Sequence, residues 1–253
     1  MEATETLQAL FRWIHIVAGI LWIGHLYFFN FVNGPFEGTL DGGGKKTVVP
    51  QLRPRALYWF RWGAAWTWIT GVLLVLLVFY HGRITFGGDG SWTPFGAVMV
   101  AVTFLAFAVY DPIAKMEFAK NNKQMAGVGF VLVVVAVLGY VMAGFTYRGY
   151  VIHLGALFGT LMAANVWMRI WPAQQKIITA IRDGQAPDAA LVAMAGQRSR
   201  HNTYMSVPLV WAMINQHTTV PFASTYLWVI AMVGIGWGAV MWLYKKAPTI
   251  KGF

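Results

Sequence analysis

Seven stretches of this chain are apolar for long enough to cross a lipid bilayer, and no other feature constrains the fold as strongly. They run over about 8–33, 55–81, 93–111, 125–147, 149–171, 201–218 and 224–244. Wound as helices, runs of roughly 17–25 residues match the hydrocarbon thickness, and a helix satisfies its backbone polar groups internally. Only 11% of the 253 residues are charged and 58% are hydrophobic, whereas about a quarter of an ordinary soluble domain is charged. The leading "MEATETLQAL" is acidic and lacks the basic segment of a signal peptide, so the first span is read as a retained helix. The expected fold is an all-α integral membrane bundle of about seven transmembrane helices, one membrane domain over 1–253.

Basic residues set the expected orientation. Alternate loops collect Lys45, Lys46, Arg53 and Arg55; Lys115, Lys120 and Lys123; Arg169, Lys176, Arg182, Arg198 and Arg200; and Lys245, Lys246 and Lys251. The other side has only Arg83 and Arg148, while Arg12 and Arg61 fall inside spans. The positive-inside rule then places the N-terminus in the periplasm and the C-terminus in the cytoplasm of a bacterial inner membrane. The net charge of +10 is thus a topological signal facing lipid, and no nucleic-acid partner is expected. Residues 172–200 break into two helical patterns around "RDGQAP", with Ile177, Ile178 and Ile181 on one face; a helical hairpin on the cytoplasmic surface is expected. "GTLDGGGKKT", Gly38 to Thr47, lacks both the G-K-[ST] ending and the preceding strand of a phosphate loop, and reads as a flexible glycine-rich loop.

Chemistry in such a chain must come from few side chains. There is no cysteine, so thiolate metal sites, iron–sulfur clusters and a c-type haem attachment are excluded. Six histidines remain, and ionisable groups at membrane depth are costly unless they face an interior or a cavity. In "FRWIHIVAGILWIGHLYFFN", His15 falls in the outer half and His25 in the inner half. They stand about 15 Å apart along the axis and about 80° apart in direction, so one small metal site cannot take both. His153 is level with His15, and His217 and His81 end spans on the same side; His201 begins the sixth span on the inner side, nearer His25. Two axial histidines from different helices at one depth are what a non-covalent b-type haem requires. His15, His25, His153 and His201 are the candidate iron ligands of one or two such haems, with His217 a further cofactor contact. His81 also reads as an interfacial helix end, and His217 shares a core with His201 only if Pro208 bends the span.

Arg12 lies one turn before His15, and Arg61 lies two turns inside the second span in "YWFRWGAAWTW". No carboxylate occurs at Arg61's depth in the first two spans, so haem propionates or an anionic substrate would serve as partner. The competing reading is an arginine that snorkels while packed on Trp62 or Trp68. Ala18, Gly19 and Gly24 in the first span, and Gly155, Ala156 and Gly159 in the fifth, allow close backbone approach.

Two segments carry a resemblance. "RWIHIVAGILWIGHLYFFNFV", Arg12 to Val32, and "RHNTYMSVPLVWAMINQH", Arg200 to His217, resemble the membrane domain of bacterial cytochrome-c-linked urate oxidases (urate hydroxylases). The spans between fit that domain in order and length. The resemblance implies a membrane oxidoreductase in which urate is hydroxylated with water as oxygen source and electrons pass to a cytochrome c. Long members of that family continue into a C-terminal cytochrome c domain. This chain has no C-x-x-C-H, so it is expected to be a short form that uses a separate cytochrome c or a respiratory-complex subunit.

The expected mechanism brings an anionic purine to Arg61, His25 and the "HNTY" start of the sixth span. Arg61 balances its charge, His201 or Tyr204 handles protons, and Asn202 hydrogen-bonds the ring. Electrons leave through haem in the His15/His153 tier. The alternative is a non-catalytic haem-binding electron-transfer subunit of a respiratory complex. A histidine-relay transporter fits less well, since no inverted repeat is visible.

Overall fold

The computed structural model describes residues 2–216 and 224–251, and within them the chain is all-α. Its helices are α1 (Glu2–Tyr27), α2 (Gly34–Gly38), α3 (Gly42–Leu74), α4 (Pro94–Leu105), α5 (Phe107–Ile113), α6 (Asn122–Met142), α7 (Tyr147–Asn165), α8 (Trp171–Arg182), α9 (Ala189–Asn215) and α10 (Tyr226–Lys246). Three π-helical turns interrupt the α pattern, at Phe28–Asn33, Val75–Tyr80 and Val166–Ile170. No β-strand occurs among the described residues; one isolated antiparallel bridge joins Phe86 to Phe145.

Among the described residues, five helices are long and apolar enough to cross a membrane: Ala3–Gly38, Gly42–Tyr80, Asn122–Met142, Tyr147–Arg182 and Tyr226–Thr249. The pair α4 and α5, bent by 52°, makes a sixth if it is one span. These six cover six of the seven expected spans. The remaining one, 201–218, begins in α9 and ends among residues outside those described. α9 falls short on composition because Arg198, Asn202, Thr203 and Ser206 line it, yet each of these is 0% exposed. Its polar face meets protein, so an average over the helix understates how well it is shielded.

Lipid-facing surface can be read from large exposed apolar residues. On α1, Trp13, Ile16 and Ile20 form a stripe at helical spacing, and on α6 Val131, Val135 and Met142 do the same. Tyr147–Arg182 is the contrast, with 72% of its apolar window buried inside the protein against 17–33% for the other four.

The chain divides into two compact units. The first comprises 1–12, 70–161 and 205–237. Here small residues of α7 admit their neighbours: a Cβ on Gly155 would lie 2.7 Å from Met213 Cε and 3.3 Å from Ala212 Cβ. α9 runs through Pro208 without a break, and Gly236 of α10 lies against the proline ring, 3.1 Å from its Cδ. A connector from His81 to Thr93 is pinned to the turn before α7. Gly87 N donates to Gly144 O at 2.9 Å, Thr146 N to Thr85 O at 2.8 Å, and Thr146 Oγ1 to Ile84 O at 2.7 Å.

The second unit comprises 13–69, 162–204 and 238–253. α1 and α3 approach closely at Gly63, where a Cβ would sit 3.0 Å from Trp22 N and 3.1 Å from Ala18 O. Gly24, expected to serve such a contact, has nothing within 4 Å of an added Cβ. The glycine-rich segment is no loop. Asp41 Oδ1 accepts the Gly44 N–H at 2.6 Å, capping the open amides of α3 so that the helix begins at Gly42. The expected hairpin is present as α8 and the first turns of α9, with Ala173, Ile177 and Ala195 buried between them beside Ile181. Its first arm continues the unbroken 36-residue helix Tyr147–Arg182 rather than starting a separate surface helix.

Candidate functional site

In the first unit the chemistry converges on His153, which is 0% exposed. Nδ1 lies 2.7 Å from the Gly149 carbonyl and Nε2 lies 2.8 Å from the Tyr80 hydroxyl. A carbonyl can only accept, so Nδ1 carries the proton and Nε2 accepts the hydrogen from Tyr80. The rings of Phe145, Tyr80 and Tyr140 surround the imidazole at 4.8, 5.6 and 5.9 Å. Tyr140 in turn meets Thr103 Oγ1 at 2.7 Å. Leaving a buried donor or acceptor without its partner costs about 1–3 kcal/mol, and both nitrogens of this ring are satisfied.

Tyr80 also lines a cavity of about 480 Å³ with His81, Arg83, Gly90, Ser91 and Trp92. Trp92 holds the wall by edge contacts to Tyr80 at 5.1 Å and Phe86 at 5.0 Å. Arg83 has a φ of 51°, the sole non-glycine residue at positive φ among those described. Such a conformation costs of order 1–3 kcal/mol and persists where surrounding contacts enforce it. Gly90, itself at φ 77°, permits this: a Cβ there would be 2.8 Å from Arg83 O. The acid of the loop, Asp89, accepts from Ser91 Oγ at 2.7 Å and Ser91 N at 3.0 Å. Those hydrogen bonds hold its carboxyl below the usual aspartate range.

The second unit holds most of the residues expected to be functional. Arg61 lies with its guanidinium 4.0 Å above the Trp171 ring and 5.8 Å from Trp167 and Tyr58. Trp167 Nε1 donates to the Arg61 carbonyl at 3.0 Å, which fixes the aromatic wall to α3. The packing expected on Trp62 or Trp68 is thus supplied by α8 and the π-helical turn before it. Arg61 Nε is buried without a hydrogen-bond partner among the described residues. An aromatic box around a cation whose donors remain open is suited to a planar anion.

His15 Nδ1 meets the Thr67 carbonyl at 2.9 Å, and His25 Nδ1 meets the Leu21 carbonyl of its own helix at 2.7 Å. The carbonyl argument makes both Nδ1–H tautomers, with the lone pair on Nε2. This is the arrangement in which a backbone carbonyl orients an imidazole for an iron. In both rings Nε2 is therefore the nitrogen with the chemistry to ligate an iron. Nε2 of His153 is not free to do so in this conformation, because Tyr80 occupies its lone pair. His15 and His25 belong to the second unit and His153 to the first. Among the described residues, no three His, Asp or Glu side chains gather as a metal-binding group.

Asn202 is fully buried, donating to the Met162 carbonyl at 3.0 Å and accepting from Asn165 Nδ2 at 2.9 Å. Tyr204 stacks on Tyr244 with ring centres 6.0 Å apart, and the Arg200 guanidinium lies 5.2 Å from the same Tyr244 ring. His201 is half-buried. Arg12 is exposed and reaches Gln8 Oε1 at 3.4 Å. His81 is an exposed helix end on the cavity wall. His217 lies outside the described residues.

Sequence reasoning missed two clusters. Asn30, carried on a π-helical turn, donates to Ser199 Oγ at 2.9 Å and accepts from the Tyr244 hydroxyl at 2.8 Å, which also reaches Thr203 Oγ1 at 3.2 Å. An asparagine inside an apolar run was the available signal. Tyr80, Arg83 and Trp92 form the cavity, and only their proximity to His81 in "FYHGR" hinted at it.

A comparison with protein families matches residues 37–248 to the family described as urate oxidase N-terminal. No curated protein and no solved structure matches the chain.

Proposed function

The chain belongs to the urate oxidase N-terminal family, and from that premise we propose that it is a membrane oxidoreductase. It oxidises urate or a related small anionic purine and hands the electrons to a separate cytochrome c. The observation that carries this reading is Arg61: a cation stacked on Trp171, with Nε unmatched and no acidic partner among the described residues. A purine anion would supply the missing charge, accept from the guanidinium fork and lie flat among Trp171, Trp167 and Tyr58.

Oxidation of urate with water removes two electrons, adds a hydroxyl and releases two protons. His201 and Tyr204, on the same face of the same unit's α9, are the groups proposed to take those protons. Asn202, engaged at both ends with α7, acts as a positioning residue that holds α9 in register. Haem, when bound, supplies one-electron relay between substrate and acceptor. His25, with its Nδ1 proton on Leu21 O, would offer a ligand through Nε2, and His15, on Thr67 O, would mark a separate site about 15 Å away along the same helix.

The test is an anaerobic addition of urate to detergent-purified protein expressed with ample haem. The reading expects a b-type spectrum that urate converts to its reduced form. Absence of any haem band sinks the relay; a haem that dithionite reduces but urate does not sinks the substrate assignment.

A further inference from the structure

We propose that the last turns of α10, with the turn of α9 that faces them, seat one anionic phospholipid. Arg200 and Lys245 take its phosphate, and an acyl chain lies along Met241 and Gly238. All four residues belong to the second unit, and the seat does not depend on the proposed function.

The length of α10 places this site at the membrane edge. Its 21 residues rise about 31 Å, which matches a hydrocarbon core of about 30 Å. The basic last turn, Lys245 and Lys246, therefore falls among lipid headgroups. Arg200 is held at the same level, its guanidinium 5.2 Å from the centre of the Tyr244 ring. That ring is a fixed platform. Tyr244 Oη donates to Asn30 Oδ1 at 2.8 Å and reaches Thr203 Oγ1 at 3.2 Å, so α9 and the π-helical turn after α1 both hold its tip. Phe31 packs edge-on at 5.2 Å and Tyr204 stacks at 6.0 Å. An exposed arginine would otherwise sample many rotamers, and the contact with a fixed ring narrows them.

The cations here have no acid to neutralise them. Arg200 and Lys245 are exposed, and neither makes an ion pair among the described residues. α10 carries no Asp or Glu. Asp188, just before α9, lies about 18 Å from Arg200 along the axis, and Glu37 is held by Arg53 and Asn33. Lys245 and Lys246 also offset the negative end of the α10 dipole, but Arg200 stands in the middle of α9, where no helix end rewards a cation. A guanidinium fork beside an ammonium at headgroup depth suits a phosphodiester.

The apolar part of the seat favours a lipid over a free phosphate. Lys245, Met241 and Gly238 recur at i, i−4 and i−7, along one face of α10. Met241 is 51% exposed. Gly238 is exposed and has nothing within 4 Å of an added Cβ, so the stripe below the cation ends in a shallow trough against bare backbone. A soluble anion would use the cations and leave the trough empty.

The experiment is native mass spectrometry of the full-length protein in detergent with added dioleoylphosphatidylglycerol, dioleoylphosphatidylcholine or soluble glycerol phosphate. The wild type is expected to retain the phosphatidylglycerol roughly tenfold better than the phosphatidylcholine. Arg200→Gln and Lys245→Gln are each expected to cut that preference roughly fivefold, at unchanged lipid-free melting temperature. Lys123→Gln, at an exposed lysine on α6, is expected to leave it intact. Gly238→Leu is expected to weaken phosphatidylglycerol retention by filling the trough. Lys245 ends a helix in the open, so its variant remains informative if Arg200→Gln fails to fold. Equal retention of the two lipids, or a loss as large in Lys123→Gln, would overturn the site in favour of diffuse surface charge. Displacement of the lipid by glycerol phosphate would overturn the lipid as occupant. Retention unchanged by Gly238→Leu would overturn the acyl seat.

Discussion

Tyr80 donates its hydroxyl hydrogen to Nε2 of the fully buried His153 over 2.8 Å, joining residues seventy-three positions apart. The direction of the bond is set from the far side of the ring, where Gly149 O claims the Nδ1 proton. Tyr80→Phe leaves Nε2 buried without a donor, and is expected to cost about 1–3 kcal/mol. His153→Leu strands the Tyr80 hydroxyl and is expected to cost as much or more. Because each single change leaves an orphaned polar atom, the double variant is expected to fall short of the sum by about 1 kcal/mol or more. Melting of the four proteins in one detergent measures the coupling; strict additivity would mean that the bond contributes nothing.

Arg61 differs from a generic buried cation in being stacked at 4.0 Å on Trp171. Lysine keeps the charge but loses the flat fork and the stacking surface. In steady-state urate oxidation, Arg61→Lys and Arg61→Gln are both expected to raise KM roughly tenfold or more, with kcat changed less. Full rescue by lysine would show that only charge matters at this position.

Glu37 is 6% exposed and forms a bidentate pair with Arg53, with Asn33 Nδ2 donating to the same carboxylate at 2.8 Å and Arg53 reaching Gln174 Oε1 at 3.1 Å. Removing one partner from such a pair leaves the other desolvated without compensation. Since Arg53 retains a fifth of its exposure, Glu37→Gln is expected to destabilise by about 1–3 kcal/mol rather than by the larger cost of a fully buried pair. Glu37→Gln with Arg53→Met is expected to melt closer to wild type than Glu37→Gln alone. A double variant less stable than either single one contradicts this account.

Two glycines make a sharper contrast than their sequence contexts suggest. A Cβ on Gly149 would collide with the Thr85 carbonyl, whereas one on Gly24 meets nothing within 4 Å. Gly149→Ala is therefore expected to lower the melting temperature strongly, by displacing the loop tie and the carbonyl that orients His153. Gly24→Ala is expected to be neutral or to stabilise by up to about 1 kcal/mol through helix propensity. Similar melting for the two variants would contradict the packing described.

What could be read beforehand follows from which forces are local. Five apolar helices, and a sixth if the bent pair α4 and α5 is one span, were legible because a lipid-facing helix must be apolar along most of its length, as α6 is. α9 was legible by position but not by apolarity, since Asn202, Thr203 and Ser206 are shielded by protein rather than lipid. The separation of His15 and His25 along one helix followed from counting residues on α1. Their tautomers did not, because these depend on Thr67 O and Leu21 O. Arg61 was identifiable as a cation without an acid nearby, but its partner ring Trp171 is more than a hundred positions away. The same distance problem hid Tyr80 from His153 and Asn30 from Ser199. The start of α3 at Gly42 was missed for a local reason: three glycines argue for a loop, and the Asp41 cap overrides them.

The most direct measurement is electron balance during turnover. Urate is mixed anaerobically with the purified protein and excess oxidised cytochrome c, and urate loss and cytochrome reduction are followed together. The account predicts two cytochromes c reduced per urate consumed, with oxygen from labelled water in the product and no peroxide formed. Urate left intact beside oxidised cytochrome c, in a preparation that holds its haem, would contradict it.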